Sequence, residues 1–196
     1  MPIEGVTIEY VEPGTLPRQW RAGDYLLVSA GVWEDGVKGR VPYFSRLIQI
    51  GQALRFHGDR KPYAYWNHAV WVSNGELIEV SGGRVRTSPF DKYRNIEFHV
   101  VRSNLTDDQR READDFVHYV LNQNRRFGIL TLISVSLSLL TGLKLAFGFR
   151  GTLICSGLVA AALSAPQWRE DPSHVTPADL AEYADLRPLM ARKIPS

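Results

Sequence analysis

Two apolar runs flank the pair Asn74-Gly75 near the middle of the chain. Asn-Gly between such runs predicts a β-hairpin with a type I′ turn, because both residues accept the positive φ that this turn demands. A two-residue loop places Val70 opposite Glu79, and side chains alternate faces along each strand. His68 and Glu79 are then diagonal neighbours on one face, with their backbones roughly 7–8 Å apart and their side chains within reach of each other. The same register predicts the facing pairs Ser73–Glu76, Val72–Leu77 and His68–Ser81.

Further strands are predicted on both sides of this hairpin. Apolar alternation indicates strands at 25–29, 84–87 and 96–102. Gly82-Gly83 breaks the second hairpin strand, and 84–87 is interpreted as its brief continuation. Residues 1–20 and the charged segment 57–63 are predicted to be irregular.

Helices are predicted where apolar residues recur at helical spacing or a capping residue precedes them. They lie at about 43–55, 107–124, 154–163 and from 177 onward. The second of these helices is expected to bury Ala113, Phe116, Val117, Val120 and Leu121. Thr106 and Thr176 are the expected caps of the second and fourth helices, with Pro177 in the first turn of the latter.

The most apolar stretch of the chain is 127–149. Its length is close to what is needed to cross a bilayer, but Lys144 interrupts it, and three serines and two threonines dilute it. The stretch therefore favours a buried core helix or a helical hairpin, with membrane contact as the alternative.

The composition is that of a globular domain with a real core, since 44% of the 196 residues are apolar and 22% are charged. We expect this single domain at 21–186, after a lead-in at 1–20 and before a tail at 187–196. A net charge of +2, with Lys and Arg scattered, argues against nucleic-acid binding. The first residues show no secretory signal, so a cytoplasmic or virion-associated protein is expected. A single cysteine excludes an internal disulfide.

That cysteine, Cys155, follows a glycine-containing loop and lies at the start of the helix predicted at 154–163. The unpaired N–H groups and the dipole at a helix N-terminus stabilise an anion, which lowers the pKa of a thiol and favours the nucleophilic thiolate. The same groups can stabilise the oxyanion of a tetrahedral intermediate. His68 beside Glu79 would be an oriented base for this nucleophile. The alternative for each is structural: a small core cysteine, a core or surface histidine, and a solvent-exposed glutamate.

The remaining histidines lack a comparable context. His99 is predicted to face away from Phe98 on its strand, His118 to lie on a polar helix face, and His57 and His174 to lie in loops. No spacing of His, Cys and acidic residues matches a metal site, and neither a glycine-rich phosphate motif nor a serine nucleophile elbow occurs. We therefore expect no metal and no cofactor.

Six short motifs carry a resemblance to a known family. They are Gly23-Asp24-Tyr25-Leu26-Leu27-Val28, Asn67-His68-Ala69-Val70, Ile78-Glu79-Val80, Arg126-Phe127-Gly128-Ile129-Leu130, Ile154-Cys155-Ser156-Gly157-Leu158-Val159 and Val175-Thr176-Pro177-Ala178-Asp179-Leu180. In this order, over roughly 21–183, the chain resembles the circularly permuted branch of the NlpC-type, papain-like cysteine peptidases and amidases, in which the histidine precedes the cysteine. The resemblance implies an α+β fold, with an antiparallel sheet and the Cys-bearing helix packed against it. It also implies a triad of Cys155 as nucleophile, His68 as base and Glu79 as the orienting residue.

The function expected from this resemblance is a thiol hydrolase that cleaves a peptide or peptidoglycan-type amide through a thioester acyl-enzyme. Two alternatives stay open. Related permuted acyltransferases and thioesterases act on lipid esters, and the apolar residues 130–143 would then shape a lid or an acyl-chain pocket. A papain-like domain can also be a non-catalytic structural or binding part, for instance of a phage tail. The expected partners are accordingly a peptide, peptidoglycan or acyl substrate, or other components of a virion or similar assembly.

Overall fold

The computed structural model describes residues 5–29, 50–81, 84–123, 154–163 and 175–188. This part of the chain forms an α+β fold built on a six-stranded antiparallel sheet. The strands are β1 (Thr7–Tyr10), β2 (Tyr25–Ser29), β3 (His68–Val72), β4 (Leu77–Ser81), β5 (Arg84–Ser88) and β6 (Glu97–Arg102). The helices are α1 (Asp107–Asn122), α2 (Cys155–Ala162) and α3 (Pro177–Tyr183), together with a 3₁₀ helix at Gly58–Tyr65 and helical residues at 50–55.

The sheet has the strand order β1-β6-β2-β3-β4-β5, and every neighbouring pair is antiparallel. The predicted hairpin is β3–β4, with Val70 opposite Glu79 and Val72 opposite Leu77. The loop has the predicted length, but the prediction of a type I′ turn is wrong. Of the two central residues only Gly75 has a positive φ, at +92°. A positive φ at the second central residue alone is typical of a type II turn, and glycine adopts it without steric cost.

The sheet separates two apolar layers. One face packs against the helices through a buried cluster that includes Trp71 and Leu158, and α2 lies against β3 through this cluster. The opposite face carries a second buried cluster that includes Val70. His68 and Glu79 share this second face with Val70, because residues two apart on a strand and residues directly opposite each other point the same way.

The lead-in predicted at 1–20 is partly ordered as sheet. Thr7–Tyr10 forms β1 and pairs with β6, so the prediction of irregular structure is wrong for these residues. They lie between Pro2 and Pro13, and the prolines therefore bound the strand and do not interrupt it. One edge of the sheet is thus completed by a segment that the predicted domain left outside.

Two connections also differ from expectation. β5 does not continue β4 beyond Gly82-Gly83, because it pairs with β4 antiparallel and places Arg86 opposite Glu79. A pair of glycines between two strands is also typical of a β-hairpin, and this interpretation is the correct one for β4 and β5. The charged segment 57–63, predicted to be irregular, lies largely within the 3₁₀ helix Gly58–Tyr65.

The burial of α1 differs from its apolar pattern at Phe116, and Leu121 is only partly buried. The helix buries Ala113, Val117 and Val120 as predicted. Phe116, however, is 36% exposed, so its predicted burial is wrong. Asp114 is buried, because its carboxylate accepts hydrogen bonds from Trp71 Nε1 and Ser73 Oγ, both at 3.0 Å. These polar contacts join the helix to β3 and to the residue that follows it.

The predicted helix starts at Thr106 and Thr176 are confirmed. Each threonine side chain accepts a hydrogen bond from the backbone N–H three residues later, and the side chain at that later position accepts one from the threonine N–H. Such capping boxes satisfy two N–H groups that the helix leaves unpaired. The helix predicted at the cysteine also begins where expected, with Cys155 as its first residue.

The apolar stretch 127–149 lies outside the described residues, and so do the core-helix, helical-hairpin and membrane-contact predictions made for it. Within the described parts of the chain, no helix is both long and apolar enough to cross a bilayer. The helix predicted at about 43–55 is described only from residue 50, and residues 50–55 are helical.

The turn before β2 depends on Gly23. Its φ is +88°, and a Cβ there would lie 2.9 Å from Cγ of Arg110, whose guanidinium donates to the Ala22 carbonyl and the buried Asp24 carboxylate. We expect Gly23→Ala to lower the free energy of unfolding by about 2–4 kcal/mol in urea titrations, because it strains the backbone and displaces these hydrogen bonds.

Gly14→Ala is the matched control for this prediction. Gly14 has a φ of +87°, but nothing lies within 4 Å of a Cβ added there. In this control the free energy of unfolding should therefore fall only by the cost of a positive φ at alanine, about 1–2 kcal/mol. Equal losses for the two variants would contradict a role for the Arg110 contact.

Candidate active site

Cys155 is the first residue of α2. Ile154 before it is extended and provides no capping side chain. The N–H of Leu158 makes the first bond within the helix, to the Ile154 carbonyl, so the N–H groups of the preceding turn have no partner inside the helix. Ser156 Oγ donates to the Val175 carbonyl at 2.6 Å and ties this end of α2 to the segment before α3. The cysteine is 8% exposed.

His68, the first residue of β3, contacts both of the other predicted site residues. Its Nε2 lies 2.9 Å from Oε2 of Glu79, as the diagonal register predicts. The same imidazole is hydrogen-bonded to the thiol of Cys155. Since Nε2 faces the carboxylate, Nδ1 is the ring nitrogen left for the sulfur. The structure thus brings all three predicted side chains together.

The pairing of β3 with β4 opens at this point. The last paired residues are Val70 and Glu79, so the predicted pair His68–Ser81 is not formed. The backbone N–H of Ala69 instead donates to the sulfur of Cys155. The start of β3 thus contacts the first residue of α2.

These contacts favour the charged form of the cysteine–histidine pair. Burial alone raises the pKa of the Cys155 thiol, but His68 and the N–H groups of Ala69 and Ser156 outweigh it and lower that pKa below its usual value. Burial also opposes a charged imidazole, yet Cys155 and then Glu79 raise the pKa of His68 to about 9. Both shifts favour the thiolate–imidazolium pair, which is the reactive form for nucleophilic catalysis.

Glu79 is enclosed by hydrogen-bond donors. Its Oε2 accepts from His68 Nε2 and from the Tyr93 hydroxyl at 2.5 Å, while Oε1 accepts from Ser88 Oγ and pairs with Lys92 Nζ. The residue is only 1% exposed. Burial opposes its charge, but His68, Lys92 and Ser88 together hold the pKa of Glu79 well below its ordinary value. Burial and the nearby carboxylate raise the pKa of Tyr93, so that the phenol stays a neutral donor.

No pattern in the sequence marks Ser88, Lys92 or Tyr93 as part of this site. A β-hairpin with its turn at Gly82-Gly83 would have predicted the position of Ser88. In the register of β4 with β5, Ser88 lies on the same face of the sheet as Glu79. Lys92 and Tyr93 lie in the turn-rich segment between β5 and β6. Periodicity does not fix the direction of side chains in such a segment, so the sequence offers no signal for these two residues.

The other histidines have different surroundings. His99 is buried, accepts a hydrogen bond from a backbone N–H, and lies on the face opposite Phe98, as predicted. His118 on α1 is hydrogen-bonded to a serine at the β3–β4 turn. His57 immediately precedes the 3₁₀ helix, and His174 lies outside the described residues. In the described segments no group of three or more His, Cys, Asp or Glu is arranged to hold a metal ion.

The arrangement therefore combines a thiol of lowered pKa, an imidazole of raised pKa and the N–H groups of a helix N-terminus at one end of the sheet. Together these are the groups that acyl transfer through a covalent intermediate requires. Comparison with protein-family models, with curated proteins and with solved structures found no match to this chain.

Proposed function

We propose that this protein is a cysteine hydrolase that cleaves an amide bond through a thioester acyl-enzyme, on a circularly permuted papain-like domain of the NlpC type. The observation that carries the proposal is the contact of the Cys155 thiol with an imidazole that Glu79 orients from its other ring nitrogen. A lone structural cysteine in an apolar layer would have a raised pKa. Here the neighbouring charges lower the pKa.

The proposed mechanism uses each of these groups once in each half-reaction. The Cys155 thiolate attacks the carbonyl carbon, and the N–H groups at the start of α2 stabilise the resulting oxyanion. The His68 imidazolium gives its proton to the leaving amine as the C–N bond breaks, which leaves a thioester. His68, now neutral, takes a proton from water, whose oxygen attacks the thioester and releases the acid and the thiolate.

The proposed substrate is a peptide or peptidoglycan-type amide, which follows from the resemblance to the NlpC-type peptidases. A lipid acyltransferase or thioesterase of the same layout is the second candidate, because the sequence contains the apolar stretch 127–149 just before the cysteine helix. Parallel assays with a muropeptide and with a long-chain acyl ester separate the two. Preference for the ester would transfer the proposal to the second candidate.

Reaction with iodoacetamide tests whether the thiol is activated. Since Cys155 is the only cysteine, the label reports on this site alone. We expect the rate for the native protein to fall less between about pH 8.5 and about pH 6 than the rate of an ordinary thiol, because the site lowers the pKa of Cys155. An ordinary thiol slows by roughly 10²-fold over the same range.

The unfolded protein in urea is the control, since it carries the same cysteine without the site. It should show the full pH dependence of a free thiol. A native protein that follows the unfolded profile, or that does not react at all, would favour the structural interpretation over the catalytic one.

A further inference from the structure

We propose that Lys92 is a positioning residue of this site: its ammonium group balances the Glu79 carboxylate from the side opposite His68 and so keeps the Cys155 thiolate populated at lower pH. The inference rests on the proposed function, because it concerns how the same site is tuned. Lys92 has no expected place in the chemistry itself, since it reaches the sulfur only through Glu79 and His68. It follows β5 in the chain and pairs with Oε1 of Glu79, whereas His68 contacts Oε2.

The contacts of Lys92 complete the shell around Glu79. Its Nζ pairs with Oε1 of Glu79, lies 3.4 Å from Ser88 Oγ and 5.0 Å from the centre of the Tyr93 ring. A carboxylate offers about four lone-pair sites. Two donors, His68 and Tyr93, occupy one oxygen, and two more, Ser88 and Lys92, occupy the other. The carboxylate is thereby fixed in orientation, and the imidazole with it.

The charges of the four ionised groups alternate along this chain of contacts. The thiolate of Cys155 is followed by the imidazolium of His68, the carboxylate of Glu79 and the ammonium of Lys92, and their sum is zero. Without Lys92 the sum is −1 beside a carboxylate that is almost fully buried. Net negative charge in a poorly hydrated site disfavours formation of a further anion, so the thiol would hold its proton more tightly.

Other charged groups that face Glu79 come from the neighbouring strand. Arg86 lies directly opposite Glu79 on β5, and its guanidinium donates to Ser81 Oγ. Arg84 lies opposite Ser81 and is exposed. In the described part of the chain, the ion pairs of Glu79 are those with His68 and Lys92. The charges of the two arginines are therefore the same in wild type and in the Lys92 variants.

The partial exposure of Lys92 provides an independent observable. Its side chain is 32% exposed, whereas that of Glu79 is 1% exposed. Salt screens a charge at the surface more than one in the interior. If Lys92 tunes the thiol through its charge, high salt should weaken this tuning in the wild-type protein and have less effect once the lysine is removed.

The experiment compares the pH dependence of Cys155 alkylation in wild type, Lys92→Met and Lys92→Arg. We expect Lys92→Met to shift the midpoint of the profile upward by about one pH unit, because a unit charge at this range interacts with the thiol by that order. Lys92→Arg keeps the charge, so the midpoint of its profile should be close to that of wild type. Circular dichroism checks the fold, and Lys92 makes its turn through its backbone N–H to the Pro89 carbonyl, which the substitution leaves in place.

Two further variants separate charge from packing. Ser88→Ala removes a donor to the same carboxylate oxygen without changing any charge, so its midpoint should shift less than that of Lys92→Met. Lys61→Met removes a lysine from the exposed surface of the 3₁₀ helix and controls for overall charge. A Lys92→Met midpoint equal to that of wild type, or a Lys61→Met shift of the same size, would overturn the proposal.

The outcome is distinguishable from failure of the proposed function. If the wild-type thiol titrates as an ordinary one, the hydrolase proposal fails and the Lys92 proposal fails with it. If the wild-type thiol is activated and Lys92→Met leaves its profile unchanged, only the role of Lys92 is refuted. If Lys92→Met shifts the profile and no substrate is turned over, the tuning holds and the hydrolase activity does not.

Discussion

Replacing Cys155 with alanine is expected to abolish turnover of the proposed amide substrate while leaving the fold intact. The loss should be about 10³-fold or more in kcat, because the nucleophile cannot be replaced by water without losing the covalent route. Alanine is small and helix-compatible, so α2 should persist. The change also removes the sulfur that contributes most to the raised pKa of His68, so that pKa should fall from about 9. Activity assays together with an NMR titration of the histidines measure both effects.

Cys155→Ser is the companion variant, because it keeps the side-chain size and a potential nucleophile. A serine hydroxyl is not ionised near neutral pH, so the stable thiolate–imidazolium pair cannot form. Its turnover should therefore also be strongly reduced, with far-ultraviolet circular dichroism matching that of wild type. Wild-type turnover in the alanine variant would remove Cys155 from the mechanism.

The pairing of His68 with Glu79 could be predicted because it is a local property of the chain. A two-residue loop fixes the register of the hairpin, and the register fixes which side chains are diagonal neighbours. The prediction depends on the loop length and not on the turn type, so it is correct although the type I′ turn predicted at Asn74-Gly75 is wrong. Cys155 as the first helical residue was likewise local, since the preceding loop and the small apolar residues that follow mark the helix start.

The contact between Cys155 and His68 is not local, and no periodicity in the chain predicts it. Only the resemblance to the NlpC-type peptidases suggested that these distant residues meet. The donors around Glu79 show the same limit, because Lys92 and Tyr93 come from a turn segment without regular spacing. The exposure of Phe116 has a related cause, since a buried carboxylate and not the apolar stripe sets the orientation of α1. These features thus depend on polar contacts between distant parts of the chain, which the pattern of apolar and polar residues does not predict.

Replacing Glu79 with glutamine is expected to lower kcat/KM by about 10²- to 10⁴-fold, although glutamine has nearly the same shape. All four groups around Glu79 donate hydrogen bonds. An amide has one acceptor oxygen and one NH₂ group, so in either orientation its NH₂ faces two donors. If the NH₂ faces His68, the ring loses the partner that orients it. If it faces Lys92, that ammonium is left beside a neutral group.

The same substitution should shift the pH profile in a defined direction. Glu79 is among the groups that raise the pKa of His68 to about 9. Removing its charge therefore lowers that pKa, and the imidazolium that is proposed to protonate the leaving group is lost at a lower pH. The alkaline limb of the kcat/KM profile should move downward in Glu79→Gln. Glu79→Asp keeps the charge on a shorter side chain, so its alkaline limb should lie closer to that of wild type even if its maximal rate is reduced.

Stability must be measured alongside activity, because the variant leaves buried donors and a cation without their counter-charge. We expect the free energy of unfolding to fall by about 3 kcal/mol in urea titrations, the range typical for breaking one side of a buried ion pair. Glu76→Gln is the matched control, since it makes the same chemical change at the distal turn of the same hairpin. Rates normalised to the folded fraction should be unchanged in that control and reduced in Glu79→Gln. Equal rates in the two variants, with the alkaline limb unmoved, would show that Glu79 stabilises the hairpin without orienting His68.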